Sequence, residues 1–401
     1  MYNSRLDGLT EYPFQRLNAL LADVVAKVPA ADQIAMSIGE PQHRPPEMIR
    51  DLLVRNLEDW GKYPPTPGNK NFRDAVAAWA TRRYRLPAGM IDGEKHIMPV
   101  AGSREALFMA AQLCVPPMKG NQTPAVLIPN PFYQVYFGAA VMNGATPVFV
   151  PATKASAFQP DYTREDDAVL ARTAMAYLCT PANPQGTVAS IDRLKQMIAL
   201  ARKHDFVMIS DECYSEIYDG APPAGALEAC AALGGSLKNV LVFNSLSKRS
   251  SVPGLRSGFA AGDPDLIARF NKLRSHGGAV QPVPVLDTAA ALWRDEAHVE
   301  ANRALYRAKF ADAARIFGNR YDYYTPEGGF FLWLNVGDGE RAAKALWSEG
   351  GIKVLPGAYL ARPDADNKNP GAAYIRVALV HDRVQTERGL TRARAILDSL
   401  H

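Results

Sequence analysis

Cysteine is scarce in this sequence. Among 401 residues there are only four cysteines, and they lie far apart without a C-x-x-C spacing. A disulfide framework or a zinc site is therefore not expected, and reduced thiols in the cytoplasm fit this usage best. The four residues are Cys114, Cys179, Cys213 and Cys230.

An excess of one charge is also missing. Lysine and arginine total 45 against 41 acidic residues, which leaves a net charge of +4. The arginines are scattered, and there is no basic arm or tail. This near balance does not indicate a nucleic-acid partner.

Long apolar runs and internal repeats are absent as well. No run approaches the roughly 20 residues that cross a bilayer, so no membrane association is expected. Residues 1–11 are polar, and we expect no signal peptide. Hydrophobic residues make up 47% of the chain and charged residues 21%, which is ordinary for a globular protein of one large and one small domain.

What the sequence does contain is an alternation of short apolar runs and helical segments. This alternation predicts an α/β domain with a largely parallel sheet. In open sheets of this kind, ligands bind outside the carboxyl ends of the strands, so the polar loops there are the candidate sites. The predicted strands are residues 125–128, 148–150, 174–179, 206–210, 240–243 and 259–261.

The chain changes character after Pro282 and Pro284. Residues 286–317 read as one long helical stretch that links two domains, and a smaller α+β region follows. In the predicted strand around residue 376, Ile375 and Val377 share one face, so Arg376 points to the other.

A polar loop follows the apolar run 240–243. It contains Ser245, Ser247 and Lys248, with Arg256 a little further on. A lysine just past a strand can act as an amine nucleophile. Hydroxyls and a guanidinium beside it can bind an anion. Taken alone, the segment also fits a solvated surface loop.

Other strand ends carry polar or aromatic residues with two interpretations each. Gly102-Ser103-Arg104 precedes a helix, where free N–H groups favour a phosphate or Ser103 simply caps the helix. Tyr133 can stack on a flat ring or pack in the core. Asn183 lies in a Pro-x-Asn-Pro-x-Gly turn, where it either faces a ligand or only closes the turn through its own backbone.

Asp211 and Tyr63 raise similar questions. Asp211 directly follows a buried strand, and a buried carboxylate needs a cationic partner. A metal is one possible partner, but no His or Cys cluster supports it. Tyr63 lies on a stiff, proline-rich loop, where it either points at a ligand or packs.

Taken in order, these loops resemble the class I and II aminotransferases. They are pyridoxal-phosphate (PLP) enzymes of the aspartate-aminotransferase fold, also called fold type I. The resemblance covers nearly the whole chain. It implies a large domain with a mainly parallel seven-stranded sheet flanked by helices, and a small α+β domain built from both termini. The expected divisions are 1–45 (arm and part of the small domain), 46–285 (large PLP-binding domain) and 286–401 (linking helix and small domain).

The resemblance also implies roles for the residues that would contact the ring of PLP. Lys248 would hold the cofactor covalently and later carry the substrate proton. Asp211 would pair with the protonated pyridine nitrogen. Tyr214 and Asn183 would hydrogen-bond the phenolic oxygen, and Tyr133 would stack on the ring.

Further residues are assigned by the resemblance to the phosphate and the substrate. Tyr63 would reach the phosphate from the other subunit of a homodimer. Arg376 would bind the substrate carboxylate as a two-pronged fork, with Gly39, Asn183 and Tyr133 nearby. Arg104 stands where the family often has lysine. Besides Tyr63, the phosphate would be held by Gly102, Ser245, Ser247, Arg256 and the backbone around Ser103 and Arg104.

Within this family, residues 3–14, 37–43 and 180–186 resemble the bacterial N-succinyldiaminopimelate aminotransferases of lysine biosynthesis. Glutamate would then donate its amino group to N-succinyl-2-amino-6-oxopimelate, so both substrates would be acidic. The alternatives are an aspartate, alanine or aromatic aminotransferase, or a C–S lyase of the same fold. A regulator that borrowed the fold would need a DNA-binding module, for which the chain has no room. Tyr12, Phe14 and His43 are the candidates to bind the distal carboxylates.

Overall fold

A seven-stranded sheet lies at the centre of the fold. The computed structural model describes residues 1–55 and 57–400 of the chain. The strands are β1 Ile34–Ala35, β2 Ile97–Val100, β3 Ala125–Asn130, β4 Thr146–Pro151, β5 Thr173–Cys179, β6 Val207–Asp211, β7 Val240–Ser245, β8 Gly258–Gly262, β9 Phe331–Asn335, β10 Ile352–Lys353, β11 Leu355–Pro356 and β12 Tyr374–Ala378.

Helices cover the sheet and continue to the end of the chain. They are α1 Pro13–Leu21, α2 Met48–Arg55, α3 Lys70–Arg83, α4 Gly93–His96, α5 Ser103–Cys114, α6 Gln134–Met142, α7 Asp167–Arg172, α8 Ile191–Lys203, α9 Ala226–Ala232, α10 Leu246–Arg249, α11 Pro264–His276, α12 Val283–Arg294, α13 Ala297–Phe317, α14 Gly339–Gly350 and α15 Arg383–Asp398.

The strand order of the large sheet is β2-β8-β7-β6-β5-β3-β4. The neighbours from β7 to β4 pair in parallel, while β8 is antiparallel to both β7 and β2. The mainly parallel seven-stranded sheet is thereby confirmed. Because β3, β5, β6 and β7 run in the same direction, their carboxyl ends meet along one edge of the sheet.

Apolar residues are buried on both faces of this sheet. Along β7, Val240 and Val242 pack into one core cluster, whereas Leu241 and Phe243 pack into another. This alternation follows from the two-residue period of a strand. Both clusters contain helical residues, so helices flank the sheet on both sides, as buried parallel sheets require.

A second, smaller group of strands carries Arg376. It is a three-stranded antiparallel sheet of order β11-β12-β9, and beside it β1 pairs in parallel with β10. Residues 34–35 near the start of the chain therefore join residues 352–353 near its end. Domain divisions at residues 45 and 285 stay a prediction.

One detail of the helices differs from the sequence prediction. Residues 286–317 do not form one continuous helix: α12 ends at Arg294 and α13 begins at Ala297. The carboxylate of Asp295 accepts hydrogen bonds from the backbone N–H and the ring of His298, which starts the new helix. Helix α3 is capped by Asn69, whose side-chain oxygen accepts a hydrogen bond from the N–H of Phe72 at 2.9 Å.

None of the helices in residues 1–55 and 57–400 combines the length and apolar character that crossing a bilayer requires.

Candidate active site

A cavity of about 520 Å³ opens at the carboxyl ends of β3, β5, β6 and β7. Most of the predicted site residues line it, although they come from distant parts of the sequence. Gly102 lies beside the cavity against Arg256, and Tyr63 is wholly exposed outside it. The predicted residues that line the cavity are Gly39, Ser103, Arg104, Tyr133, Asn183, Asp211, Tyr214, Ser245, Ser247, Lys248, Arg256 and Arg376.

One end of the cavity is built to hold an anion. Helix α5 begins there at Ser103, so its first N–H groups and the positive end of its dipole face the cavity. The guanidinium of Arg256 lies alongside, held by the carbonyls of Pro253 (2.8 Å) and Ala101 (2.9 Å). The hydroxyl-bearing residues Ser245 and Ser247 line the same cavity. Together these donors fit a phosphate group.

Gly102 makes room for this arrangement. Its φ of 82° is in the left-handed region, and a Cβ at this position would collide with the Arg256 guanidinium. Only glycine permits both the backbone conformation and the close approach of the arginine.

Asp211 lies at the end of β6 and is 3% exposed. Its carboxylate accepts hydrogen bonds from the Tyr136 hydroxyl at 2.6 Å and the Cys213 N–H at 3.3 Å. Burial raises the pKa of Asp211, while these two neutral donors oppose that rise. In the described residues no cation bonds to it directly, so a ligand with a protonated ring nitrogen would complete the pair.

Lys248 projects into the cavity from the short helix α10. Its Nζ donates a hydrogen bond to the Gly39 carbonyl at 2.5 Å and lies 5.4 Å from the centre of the Phe330 ring. Burial lowers the pKa of Lys248 to about 8. About a tenth of the amine is therefore unprotonated at pH 7, far more than for an ordinary lysine, which suits a nucleophile or a general base.

Arg376 is a buried cation on β12, with 4% of its surface exposed. It faces away from Ile375 and Val377, as the strand alternation indicates. Its terminal nitrogens donate to Asn183 Oδ1 (3.0 Å) and the Ser37 carbonyl (2.7 Å), while its Nε has no hydrogen-bond partner among residues 1–55 and 57–400. Burial lowers the pKa of Arg376 to about 10, so it remains protonated at neutral pH. A substrate carboxylate would supply the missing anion.

These groups together fit PLP. The cavity offers hydrogen-bond donors that can bind a phosphate, a buried carboxylate for the ring nitrogen and an amine of lowered pKa for the aldehyde carbon. Tyr133 lines the cavity, and its hydroxyl accepts a hydrogen bond from Arg104 Nε at 2.8 Å. The individual roles of these residues remain a prediction.

Two functional neighbours were missed by the sequence reasoning. Tyr136 holds Asp211, and its ring stacks on Tyr177 at 4.3 Å. Phe331 lies under Arg376, with the guanidinium 4.2 Å from its ring centre. Both residues sit in apolar runs typical of core packing, and only the three-dimensional contacts distinguish them.

Of the three residues suggested for distal recognition, Tyr12 and Phe14 line the cavity but His43 does not. The His43 Nδ1 lies 2.7 Å from Asn302 Oδ1, and its ring packs 4.5 Å from that of Tyr306. Burial, assisted by the charge of Lys309, lowers the pKa of His43 to about 4. It is therefore neutral at physiological pH and unsuited to binding a carboxylate there.

We predict that Gly102→Ala weakens PLP binding roughly 10-fold or more, because the new methyl group displaces Arg256 from the anion seat. Gly89→Ala is the matched control: Gly89 has a similar φ of 78° but nothing within 4 Å of a Cβ. Titrating cofactor-free enzyme with PLP measures both dissociation constants. Equal constants for the two variants would contradict the assignment of Gly102 and Arg256.

Comparison with known proteins identifies the family. Residues 31–392 match the family model described as aminotransferase class I and II. A solved aminotransferase from Neisseria meningitidis is 40% identical, superposes with a TM-score of 0.92 and is matched over 100% of both chains. An LL-diaminopimelate aminotransferase of Dehalococcoides mccartyi is 28% identical over 401 residues, 97% of each chain.

A transaminase of Streptomyces rimosus that is named for 4-dedimethylamino-4-oxo-anhydrotetracycline is 32% identical over 351 residues, which is 86% of this chain and 88% of that protein. The family match, the fold and the composition of the cavity all agree. The chain belongs to the class I and II aminotransferases, a family of PLP-dependent enzymes.

Proposed function

We propose that this aminotransferase transfers the amino group of glutamate to N-succinyl-2-amino-6-oxopimelate, an acidic precursor of diaminopimelate. The observation that carries the proposal is a cavity with a second cation, Arg104, besides the carboxylate-binding Arg376. The similarity to LL-diaminopimelate aminotransferases supports a substrate of the diaminopimelate type. Because of the same similarity, the keto acid without the succinyl group must be tested beside the succinylated one.

Arg104 is suited to bind the far end of a long acid. Only its Nε bonds to protein in the described residues, through the Tyr133 hydroxyl, which leaves the terminal nitrogens available to a carboxylate. Apolar side chains line the same cavity and suit the aliphatic middle of such a substrate. They belong to Phe14, Ile38, Leu355 and Leu360.

The proposed mechanism assigns a separate task to each buried charge. PLP, when bound, supplies an electron sink for the bond that breaks at the substrate α-carbon. Asp211 keeps the proton on the ring nitrogen in place. Arg376 holds the α-carboxylate through two parallel hydrogen bonds, and so orients the α-hydrogen. Lys248 then accepts the α-hydrogen as a proton on Nζ, and it later releases this proton to complete the transfer of the amino group.

Lys248 gives the first prediction of this mechanism. Only the unprotonated amine can bond to PLP, so the rate of PLP uptake by cofactor-free enzyme should rise with pH, reach half its maximum near pH 8 and level off about one unit higher. The rate is followed through the visible absorbance of lysine-bound PLP. Lys248→Ala should never develop that absorbance. A rate independent of pH around 8, or a normal spectrum in the variant, would refute the role of Lys248.

We also propose that the enzyme is a cytoplasmic homodimer. The four cysteines are free thiols, in keeping with a reducing compartment. Val54, Leu57, Trp60 and Tyr63 are exposed apolar side chains that lie close together in the sequence. Exposed apolar surface of this kind commonly marks protein interfaces. A surface cavity of about 420 Å³ lies next to Arg256 and has room for a tyrosine from a second copy.

Subunit mixing tests whether Tyr63 acts across this interface. Tyr63→Ala and Lys248→Ala should each be poorly active at limiting PLP, since one lacks a phosphate contact and the other the amine. If each site combines Lys248 of one chain with Tyr63 of the other, mixed dimers contain one intact site. Unfolding and refolding the two variants together should therefore restore part of the activity. Restoration no greater than in separately refolded variants would contradict the shared site.

A substrate panel with glutamate as the donor tests the proposed reaction. The succinylated keto acid should give the highest kcat/KM, and formation of 2-oxoglutarate measures it. The panel includes the unsuccinylated keto acid, oxaloacetate, pyruvate and an aromatic keto acid. A preference for any of these would replace the proposed acceptor. Release of pyruvate and ammonia from cystathionine, without conversion of glutamate, would instead identify a C–S lyase.

A further inference from the structure

The two cations of the active site, buried Arg376 and partly buried Lys248, lie on the rings of two consecutive residues. The Arg376 guanidinium carbon is 4.2 Å from the ring centre of Phe331, and the Lys248 Nζ is 5.4 Å from that of Phe330. Both phenylalanines are almost completely buried. The negatively polarised face of an aromatic ring attracts a cation, most strongly where water is excluded.

Strand pairing places Phe331 under Arg376. Strands β9 and β12 are antiparallel, with Trp333 opposite Arg376 and Phe331 opposite Ala378. Phe331 is therefore the diagonal neighbour of Arg376 on the same face of the sheet, within reach of a long side chain. The far edge of its ring occupies the space beside Gly39, where a Cβ would lie only 2.5 Å from Phe331 Cζ.

Neighbouring aromatic rings hold Phe330 and Phe331 in place. The two rings are 4.8 Å apart, and Tyr214 presents its ring to both, at 5.4 and 5.8 Å. On its other side Phe330 stacks with Tyr306 at 5.5 Å. The two faces that meet the cations are therefore rigid, so they can fix where each charged group sits.

Among the described residues, neither cation has a carboxylate partner that would do this instead. In the described part of the chain, Arg376 bonds an amide oxygen and a carbonyl, and Lys248 bonds a carbonyl. Other charged or titratable groups act on Lys248 through their electrostatic field. They are Glu40, Arg104, Asp211, Cys213 and Arg376.

We propose that Phe331 and Phe330 are positioning residues whose ring faces hold the Arg376 guanidinium and the Lys248 ammonium, an inference that rests on the proposed roles of those two cations. Phe331 thereby sets the affinity for substrate carboxylates. Phe330 stabilises the charged form of the lysine amine and so opposes the loss of its proton.

Binding of maleate, a dicarboxylate without amino or keto group, tests Phe331 without relying on turnover. Calorimetry on the PLP-loaded enzyme should find Phe331→Leu binding maleate roughly 5- to 30-fold more weakly, and Phe330→Leu within about twofold of the unmodified enzyme. Phe317→Leu is the packing control, since Phe317 is equally buried in the same core but contacts Tyr321 and Tyr323. An equal loss in Phe317→Leu would overturn the proposal.

The Phe330 half of the proposal has its own measurement. Leucine is apolar but has no charged ring face, so Phe330→Leu should lower the pH midpoint of PLP uptake by about one unit. Phe331→Leu should leave that midpoint nearly unchanged. An unaltered midpoint in Phe330→Leu would overturn the role of Phe330.

Two further variants keep both outcomes decisive. If Phe331→Leu does not fold, a trifluorinated phenylalanine at position 331 keeps the shape while its fluorines weaken the charge of the ring face. Unchanged maleate binding by that variant would also overturn the proposal.

Arg376→Lys distinguishes a failure of the role proposed for Phe331 from a failure of the role proposed for Arg376. If it too binds maleate normally, the proposed role of Arg376 itself is wrong, whereas a loss confined to Arg376→Lys removes only the role of Phe331.

Discussion

The structure depends on three charges, two buried and one partly buried, that surround one cavity without ion-pair partners in the described protein. Asp211 bonds a tyrosine hydroxyl and a backbone N–H, Lys248 a carbonyl, and Arg376 an amide oxygen and a carbonyl. Taking each charge out of water costs several kcal/mol that neutral partners only partly offset. A protonated ring nitrogen bound at Asp211, an aldehyde at Lys248 and a carboxylate at Arg376 would supply the partners that these groups lack in the described protein. Folding therefore meets this cost before any ligand binds, and the three groups are already arranged for binding and proton transfer.

The fold brings these charges together from opposite parts of the chain. Parallel strands deliver Asp211 and the Lys248 segment to the same edge of the large sheet. The three-stranded sheet delivers Arg376, which reaches back to the Ser37 carbonyl close to the Gly39 carbonyl that binds Lys248. The segment from Ser37 to Gly39 thus bonds both cations.

Much of this arrangement is predictable from the sequence, because the informative residues follow directly after short buried strands. Ser245, Ser247, Lys248 and Asp211 owe their place to the strand that precedes each of them. Contacts between distant residues were not predictable in this way. Tyr136 bonds Asp211 and Phe331 lies under Arg376, yet each looks like an ordinary core residue in its own segment. His43 seemed a candidate ligand, but Asn302 and Tyr306, more than 250 residues away in sequence, enclose it.

Borohydride fixation tests the central claim most directly. Reducing the PLP-loaded enzyme locks the cofactor to whichever amine holds it, and mass spectrometry of the digested protein locates the added mass. The account predicts that this mass lies on Lys248 alone. Labelling of another lysine instead, such as the buried Lys309 or the partly buried Lys119, would contradict it.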